Sequence, residues 1–236
     1  DNNQFYSIMW LYILKRILKK NKINLACEIG GGYGCFSEKL IKNFNCKYIL
    51  IDLPEANIIS AYYLSKHFPK KKIFIYNKKV KVIDKKIFNN FDIFIIPPWI
   101  KLKEIKIDLF LNTRSFMEMN KKIIKNYFKM INKNIKIGGV FFNNNRYYKD
   151  TVGHPIKFFQ YPYGEKWNSL FSKRSWNENH CHTLVSIKTK NKGNINKEIK
   201  RIKLATNKFK IDKHFIKRII PINLFNFLIK IKKHLS

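Results

Sequence analysis

Short apolar runs recur along the first 190 positions, separated by segments with helical spacing. Residues 25–29 form the first run, and "CFSEKLIKNF" after it sets Phe36, Leu40, Ile41 and Phe44 at helical intervals. "CKYILID" (46–52) lacks polar alternation and predicts a strand buried on both faces. "LPEANIISAYYLSKHF" opens with Pro54 and Glu55, good first-turn residues, and predicts a helix. Further strands are predicted at "KKIFIYN" (71–77), at "FDIFIIPPW" (91–99), stopped by Pro97-Pro98, and at "IDLFLN" (107–112). Residues 115–135 carry Phe116, Met119, Ile123, Ile124 and Tyr127 on one helical face. Gly138-Gly139 is expected to end that helix, "VFFNNNR" to start another strand, and "HTLVSIKTK" (182–190) to form a last, edge strand. Strands alternating with helices predict an α/β fold: a doubly wound, mostly parallel Rossmann-like sheet with helices on both faces.

The two ends read differently. "FYSIMWLYILKRILKK" (5–20) predicts an amphipathic helix, with an apolar stretch of roughly ten residues against the ~20 a membrane span needs. After residue 190 the chain becomes polar, basic and poorly periodic, and 215–235 then mixes large apolar residues with lysines. That last stretch suits either a basic interfacial helix or one packed on the core. The expected division is an N-terminal helix at 1–22, one catalytic domain at 23–190 and a basic tail at 191–236. The chain starts at Asp1, which leaves room for an upstream region.

The charge is extreme, 48 Lys+Arg against 15 Asp+Glu, formally +33. A polyanionic partner, nucleic acid or an anionic membrane, is one reading. Yet arginine stands only at positions 16, 114, 146, 174, 201 and 218, so 42 of the 48 cations are lysine. A chain crowded with Lys, Ile and Asn is also what an AT-rich genome encodes, and nucleic-acid sites favour arginine for bidentate contacts. Cys27, Cys35, Cys46 and Cys181 form no C-x-x-C pair, which argues against structural zinc or a disulfide framework and suggests a reducing, cytoplasmic setting.

The chemistry centres on "LACEIGGGYGCF" (25–36), where Gly30, Gly32 and Gly34 follow a strand directly. A dinucleotide fingerprint needs G-x-G-x-x-G, and Cys35 stands where its last glycine belongs. A phosphate-binding P-loop needs a Gly-Lys-Ser/Thr ending, which is missing. Glu28, just before the loop, would repel a pyrophosphate and suit a cationic group. S-adenosylmethionine (AdoMet), with its ammonium and sulfonium, is such a ligand. Asp52 ends the second strand roughly 20 residues past the loop, the spacing of an acid that binds ribose hydroxyls.

"EIGGGYG" followed by "IDLPE" resembles motifs I and II of class I AdoMet-dependent methyltransferases. "FIIPPW" (94–99), "DLFLNTRSFMEMN" (108–120), "NNNRYY" (143–148), "YPYGEKWN" (161–168) and "NHCHTL" (179–184) sharpen this. In that order they look like the sugar O-methyltransferases of bacterial polysaccharide and secondary-metabolite clusters, over about residues 25–190. The resemblance implies AdoMet as cofactor and a sugar hydroxyl as acceptor, nucleotide-linked, lipid-linked or within a glycan. It also implies an N-terminal region longer than the one present. The candidate cofactor residues are Glu28, Gly30, Gly31, Gly32, Gly34, Asp52, Leu53, Pro97 and Asn112, and the candidate acceptor residues are Ser115, Arg146, Tyr147, Trp167 and His180, with Arg146, one of few arginines, suited to a phosphate or carboxylate on the acceptor; no ligand cluster assigns a metal.

A sugar hydroxyl is a poor nucleophile while protonated, so a base is expected. The candidates in order are His182, Glu118 and His154. Strand alternation would point His180 and His182 to one side. Ser115-x-x-Glu118 also reads as a capping box, which would turn Glu118 back on the helix start. Trp99, Tyr147, Tyr148, Tyr161, Tyr163 and Trp167 fall in predicted loops and suit sugar faces or ordinary packing. Two other functions compete. An RNA methyltransferase would use the charge, but "NTRS" stands where base-modifying relatives carry N-P-P-Y/F. A non-catalytic AdoMet-fold protein could use its tail as a membrane or nucleic-acid tether, against which the intact loop and acids argue.

Overall fold

A computed structural model describes residues 2–19, 22–150, 155–175 and 178–219, with residues 208–219 described as backbone. The elements in chain order are α1 (Asn2–Leu18), β1 (Leu25–Ile29), α2 (Cys35–Phe44), β2 (Lys47–Ile51), α3 (Pro54–His67), β3 (Ile73–Ile75), β4 (Val82–Ile83), α4 (Lys85–Asn89) and β5 (Ile93–Ile96). They continue with β6 (Lys101–Leu102), β7 (Ile107–Thr113), α5 (Lys121–Asn134), β8 (Ile135–Arg146), β9 (Tyr148–Asp150), β10 (Pro155–Lys157), β11 (Trp167–Arg174), β12 (Cys181–Lys188) and α6 (Ile195–Ile219).

One eight-stranded sheet organises them, in the order β11-β12-β8-β7-β1-β2-β5-β3. The strands from β3 to β8 pair in parallel, and β12 and β11 add antiparallel. The apolar runs 25–29, 47–51 and 93–96 are buried because helices cover both faces. On one face Trp10, Leu14 and Leu18 of α1, Leu40 and Ile41 of α2, and Leu64 of α3 pack over Ala26, Tyr48, Leu50, Leu109 and Leu111. On the other, Ile124, Phe128 and Ile131 of α5 and Ile195 and Ile202 of α6 cover Cys27, Ile49, Phe110 and Phe141.

Four expectations change. The helix expected at 115–135 starts only at Lys121, because Asn120 caps it, its Oδ1 accepting from Ile123 N at 2.9 Å. Gly138-Gly139 lies inside β8 rather than ending the helix. The pairing with β7 jumps from Ile107↔Ile135 to Leu109↔Val140, and Gly138 takes φ +81° in the bulge. β12 is internal, and β11, read as loop from "YPYGEKWN", forms the edge. The basic segment after 190 is helical from Ile195, since Ile195, Ile199, Ile202 and Thr206 supply a sparse inward stripe.

α1 is less one-sided than expected: Phe5, Ile8 and Tyr12 are exposed while Trp10 and Leu14 are buried. The tail beyond 219, including the amphipathic stretch to 235, lies outside the described residues. No described helix is long and apolar enough to cross a membrane.

Candidate active site

The carboxyl ends of β1, β2, β7 and β8 meet at one edge of the sheet, where doubly wound folds bind ligands. The glycine loop turns there with φ +72° at Gly30, +56° at Gly32 and +95° at Gly34. A Cβ at Gly30 would lie 2.2 Å from Ser115 Oγ, whereas one at Gly32 would meet nothing within 4 Å. Gly30 therefore lets the segment after β7 close against the loop, and Gly32 faces open space.

Glu28 does not face that space. It is 1% exposed, and its Oε2 accepts from Ser37 Oγ at 2.6 Å and Tyr48 OH at 2.8 Å. It points beneath the loop toward α2, so its role is to hold the loop from below rather than to meet a cation directly. Burial raises its pKa, with the Asp52 charge adding to it against the two hydroxyl donors. Asp52 does lie at the mouth. Its Oδ2 accepts from Gly32 N at 2.7 Å and its Oδ1 from Leu53 N at 2.8 Å, and burial raises its pKa against those bonds. Leu53 beside it is 60% exposed, and Pro97 ends β5 at the same edge, buried.

The amide of Asn112 is fully used within the protein. Its Nδ2 donates to Ile29 O and Ser115 Oγ, and its Oδ1 accepts from Phe116 N and Asn145 Nδ2. Asn145 in turn accepts from Met117 N and donates to Asn143, which donates to Tyr163 OH. At about 1 kcal/mol each, these bonds pin residues 115–117 against the sheet edge. Asn112 is thus a scaffold for the loop, not a free cofactor ligand. Ser115 is drawn in as well, since its hydroxyl donates to Ile29 O at 3.0 Å. The expected capping box does not form: Ser115 makes no side-chain cap, and Glu118, exposed, pairs with Lys149 Nζ at 2.6 Å.

His182 and His180 part company. His182 is 2% exposed, with Nδ1 on Tyr147 OH at 2.8 Å and Nε2 on Ser172 Oγ at 2.7 Å. Burial lowers its pKa to about 4, with Glu198 pulling up and Arg201 pulling down. His182 is therefore a neutral, fully bonded core residue. His180 precedes β12 in a turn, so strand alternation does not apply to it, and it is exposed. Its ring lies with the Glu178 carboxylate and the Cys181 thiol, their ligand atoms within 4.8 Å of one another. His154 lies outside the described residues.

The expected aromatic set is mostly core. Tyr147, Tyr161, Tyr163 and Trp167 are at most 5% exposed, packed with Phe128, Phe141 and Phe158. Trp99 remains open at 56% and lies edge-on to Tyr76. Arg146 ends β8, partly buried. Arg114 and Glu178 were missed from the sequence. Arg114 has φ +69°, spans to Glu178 at 3.4 Å and lies over the Tyr6 ring at 5.4 Å. The signal for it was available: it is one of few arginines and sits in "NTRS".

No family model and no curated protein sequence matches the chain. Solved structures do. The N-methyltransferase NodS of Bradyrhizobium japonicum WM9 is similar at TM-score 0.53 and 14% identity, over 80% of this chain and 99% of that one. A candidate sarcosine dimethylglycine methyltransferase from Galdieria sulphuraria is similar at TM-score 0.52 and 10% identity, over 78% and 85%. This chain has the Rossmann-like methyltransferase fold. The mitomycin 7-O-methyltransferase MmcR matches at TM-score 0.48 and 10% identity over 71% of this chain, which spans about half, 49%, of its length. In the methyltransferase fold seen here, the glycine loop and Asp52 stand at adjacent ends of β1 and β2.

Proposed function

We propose that this protein is an AdoMet-dependent O-methyltransferase that acts on a sugar hydroxyl. The observation that carries the cofactor reading is the cradle at the ends of β1 and β2: open space over Gly32, the Asp52 carboxylate on its N–H, and exposed Leu53 beside it. A carboxylate there can accept from two vicinal hydroxyls, and the side-chain-free loop admits close backbone contact. The residues present therefore fit AdoMet, which would supply a methyl group already activated on a sulfonium. The sugar acceptor rests on the sequence motifs from "FIIPPW" to "NHCHTL".

The protein's share of such a reaction is mostly positioning. The Asn112–Ser115 lattice fixes the segment nearest the glycine loop, and His180 is the exposed base at this edge, next to Glu178. Charge near an imidazole sets its orientation and proton affinity. The test is calorimetric titration with S-adenosylhomocysteine of the wild type and Asp52→Ala. One-to-one binding that weakens at least tenfold in the variant supports the reading. Equal affinity in both proteins refutes the assignment of Asp52. Acceptor screening with radiolabelled methyl donor then compares His180→Ala with His182→Ala. The first should lower turnover with little effect on S-adenosylhomocysteine binding.

A further inference from the structure

We infer that the acceptor carries an oxyanion, phosphate or carboxylate, which Arg146 binds together with Arg114 at the carboxyl ends of β8 and β7. This rests on the methyltransferase reading of the adjacent cradle and names the acceptor class it would take.

The composition makes arginine informative. This chain uses lysine for 42 of its 48 cations, so arginine stands out wherever it is kept. Arg201 forks across Glu198 and Ser172, Arg174 Nε donates to Asn179 O at 2.5 Å, and Arg16 lies over the Tyr12 ring. Each of these guanidinium groups has a partner within the protein. Arg146 is the exception. Among the described residues its side chain has no hydrogen bond and no ion pair, and its Nε is buried without an acceptor. An unsatisfied buried donor costs about 1–3 kcal/mol, more when charged. Packing gives no return for that cost; the side chain is only partly buried, and its terminal nitrogens are the donors open to a ligand oxygen.

Arg114 stands beside it. Its N–H donates to Asn144 O at 2.7 Å, two residues before Arg146 on β8. Arg146 is registered opposite Cys181, and Glu178 lies within hydrogen-bond reach of that thiol at 3.2 Å. Burial and the Glu178 carboxylate push the Cys181 thiol up, and the charges of both guanidinium groups pull the other way. Arg114 meets the Glu178 carboxylate at 3.4 Å, whereas Arg146 has no ion pair among the described residues, so no carboxylate offsets its charge. The left-handed backbone of Arg114 costs about 1–2 kcal/mol, a strain typical of residues held for a purpose. A planar fork pair of this kind suits the two or three oxygens of a carboxylate or phosphate.

The test uses the full chain, with and without saturating S-adenosylhomocysteine, in buffer of physiological salt. Uridine diphosphate, glucuronate and methyl glucoside are titrated into the wild type, Arg146→Gln, Arg146→Lys and the surface control Lys129→Gln. The expected result is that an anion binds the wild type and Lys129→Gln alike and binds Arg146→Gln at least tenfold more weakly. S-adenosylhomocysteine affinity should not change among them. Preference for uridine diphosphate assigns a phosphorylated or nucleotide-linked acceptor, and preference for glucuronate an acidic sugar. Should Arg146→Gln fail to fold, Arg146→Lys reads the same effect, because an ammonium keeps the charge and loses the fork. Anion affinity equal in the wild type and the folded variants overturns the inference, as does binding of neither anion. Loss of S-adenosylhomocysteine binding by the wild type counts instead against the cofactor reading, and the anion titration of the free protein still decides the role of Arg146.

Discussion

Lowering the pH from about 7 to about 4 should destabilise this protein through His182. The imidazole is buried, and both its nitrogens are engaged by the Tyr147 and Ser172 hydroxyls. Burial depresses its folded pKa to about 4, against 6.5 for the ordinary side chain. A group depressed in this way favours folding only while it is neutral in both states. The stability is complete above pH 6.5 and is lost as the unfolded chain takes up a proton that the folded chain refuses. Each pH unit in that window costs about 1.36 kcal/mol, so the whole window costs about 3 kcal/mol. Urea unfolding of the wild type and His182→Gln at about pH 7, 6, 5 and 4 measures it. Carboxylates common to both proteins cancel in the difference. The stability advantage of the wild type should shrink by about 3 kcal/mol across the series. A constant difference would mean that His182 titrates as a solvated imidazole, and its assignment to the core would fail.

Two further substitutions separate loop geometry from loop chemistry. Gly30→Ala should cost about 2–4 kcal/mol, since its Cβ would lie 2.2 Å from Ser115 Oγ and break that residue's bonds as well as strain a left-handed backbone. Gly32→Ala meets open space and should cost only the backbone strain, about 1–2 kcal/mol, in thermal or urea unfolding; similar losses for the two would show that Ser115 does not press on Gly30. Glu28→Gln keeps an acceptor for Ser37 and Tyr48 but removes a buried charge. Because burial raises the Glu28 pKa, the wild type loses stability as the pH rises from the ordinary carboxyl value through the raised one. The variant should gain on the wild type as the pH rises above about 4.5 in paired unfolding curves, and an unchanged gap would place Glu28 in water.

The division between what the sequence announced and what it concealed follows the range of the forces involved. Period and composition within a segment report burial directly, so the runs at 25–29, 46–52, 91–99 and 107–112 were legible as strands and the parallel sheet followed. The glycine loop was legible because three glycines after an apolar run have few other uses, and all three adopt left-handed backbone. Short elements were not: β4, α4 and β6 carry too few residues for a period to show. β11 was hidden by its polar residues, which an edge strand can expose on one face.

The roles of single side chains were decided by tertiary structure. Glu28 and Asp52 looked alike as acids at strand ends, yet Glu28 turns under the loop to Ser37 and Tyr48 while Asp52 stays at the mouth. Ser115 and Glu118 matched a capping pattern, but Gly30 leaves room for Ser115 to reach Ile29 O, a partner 86 positions away. His180 and His182 differ by two positions in sequence, and only the start of β12 puts one in solvent and the other between Tyr147 and Ser172. The sequence determined which segments are buried, because hydrophobic burial sums over many residues and tolerates local exceptions. Only the tertiary structure decided where each polar atom finds its partner, because a hydrogen bond depends on positions set by every strand between the two residues.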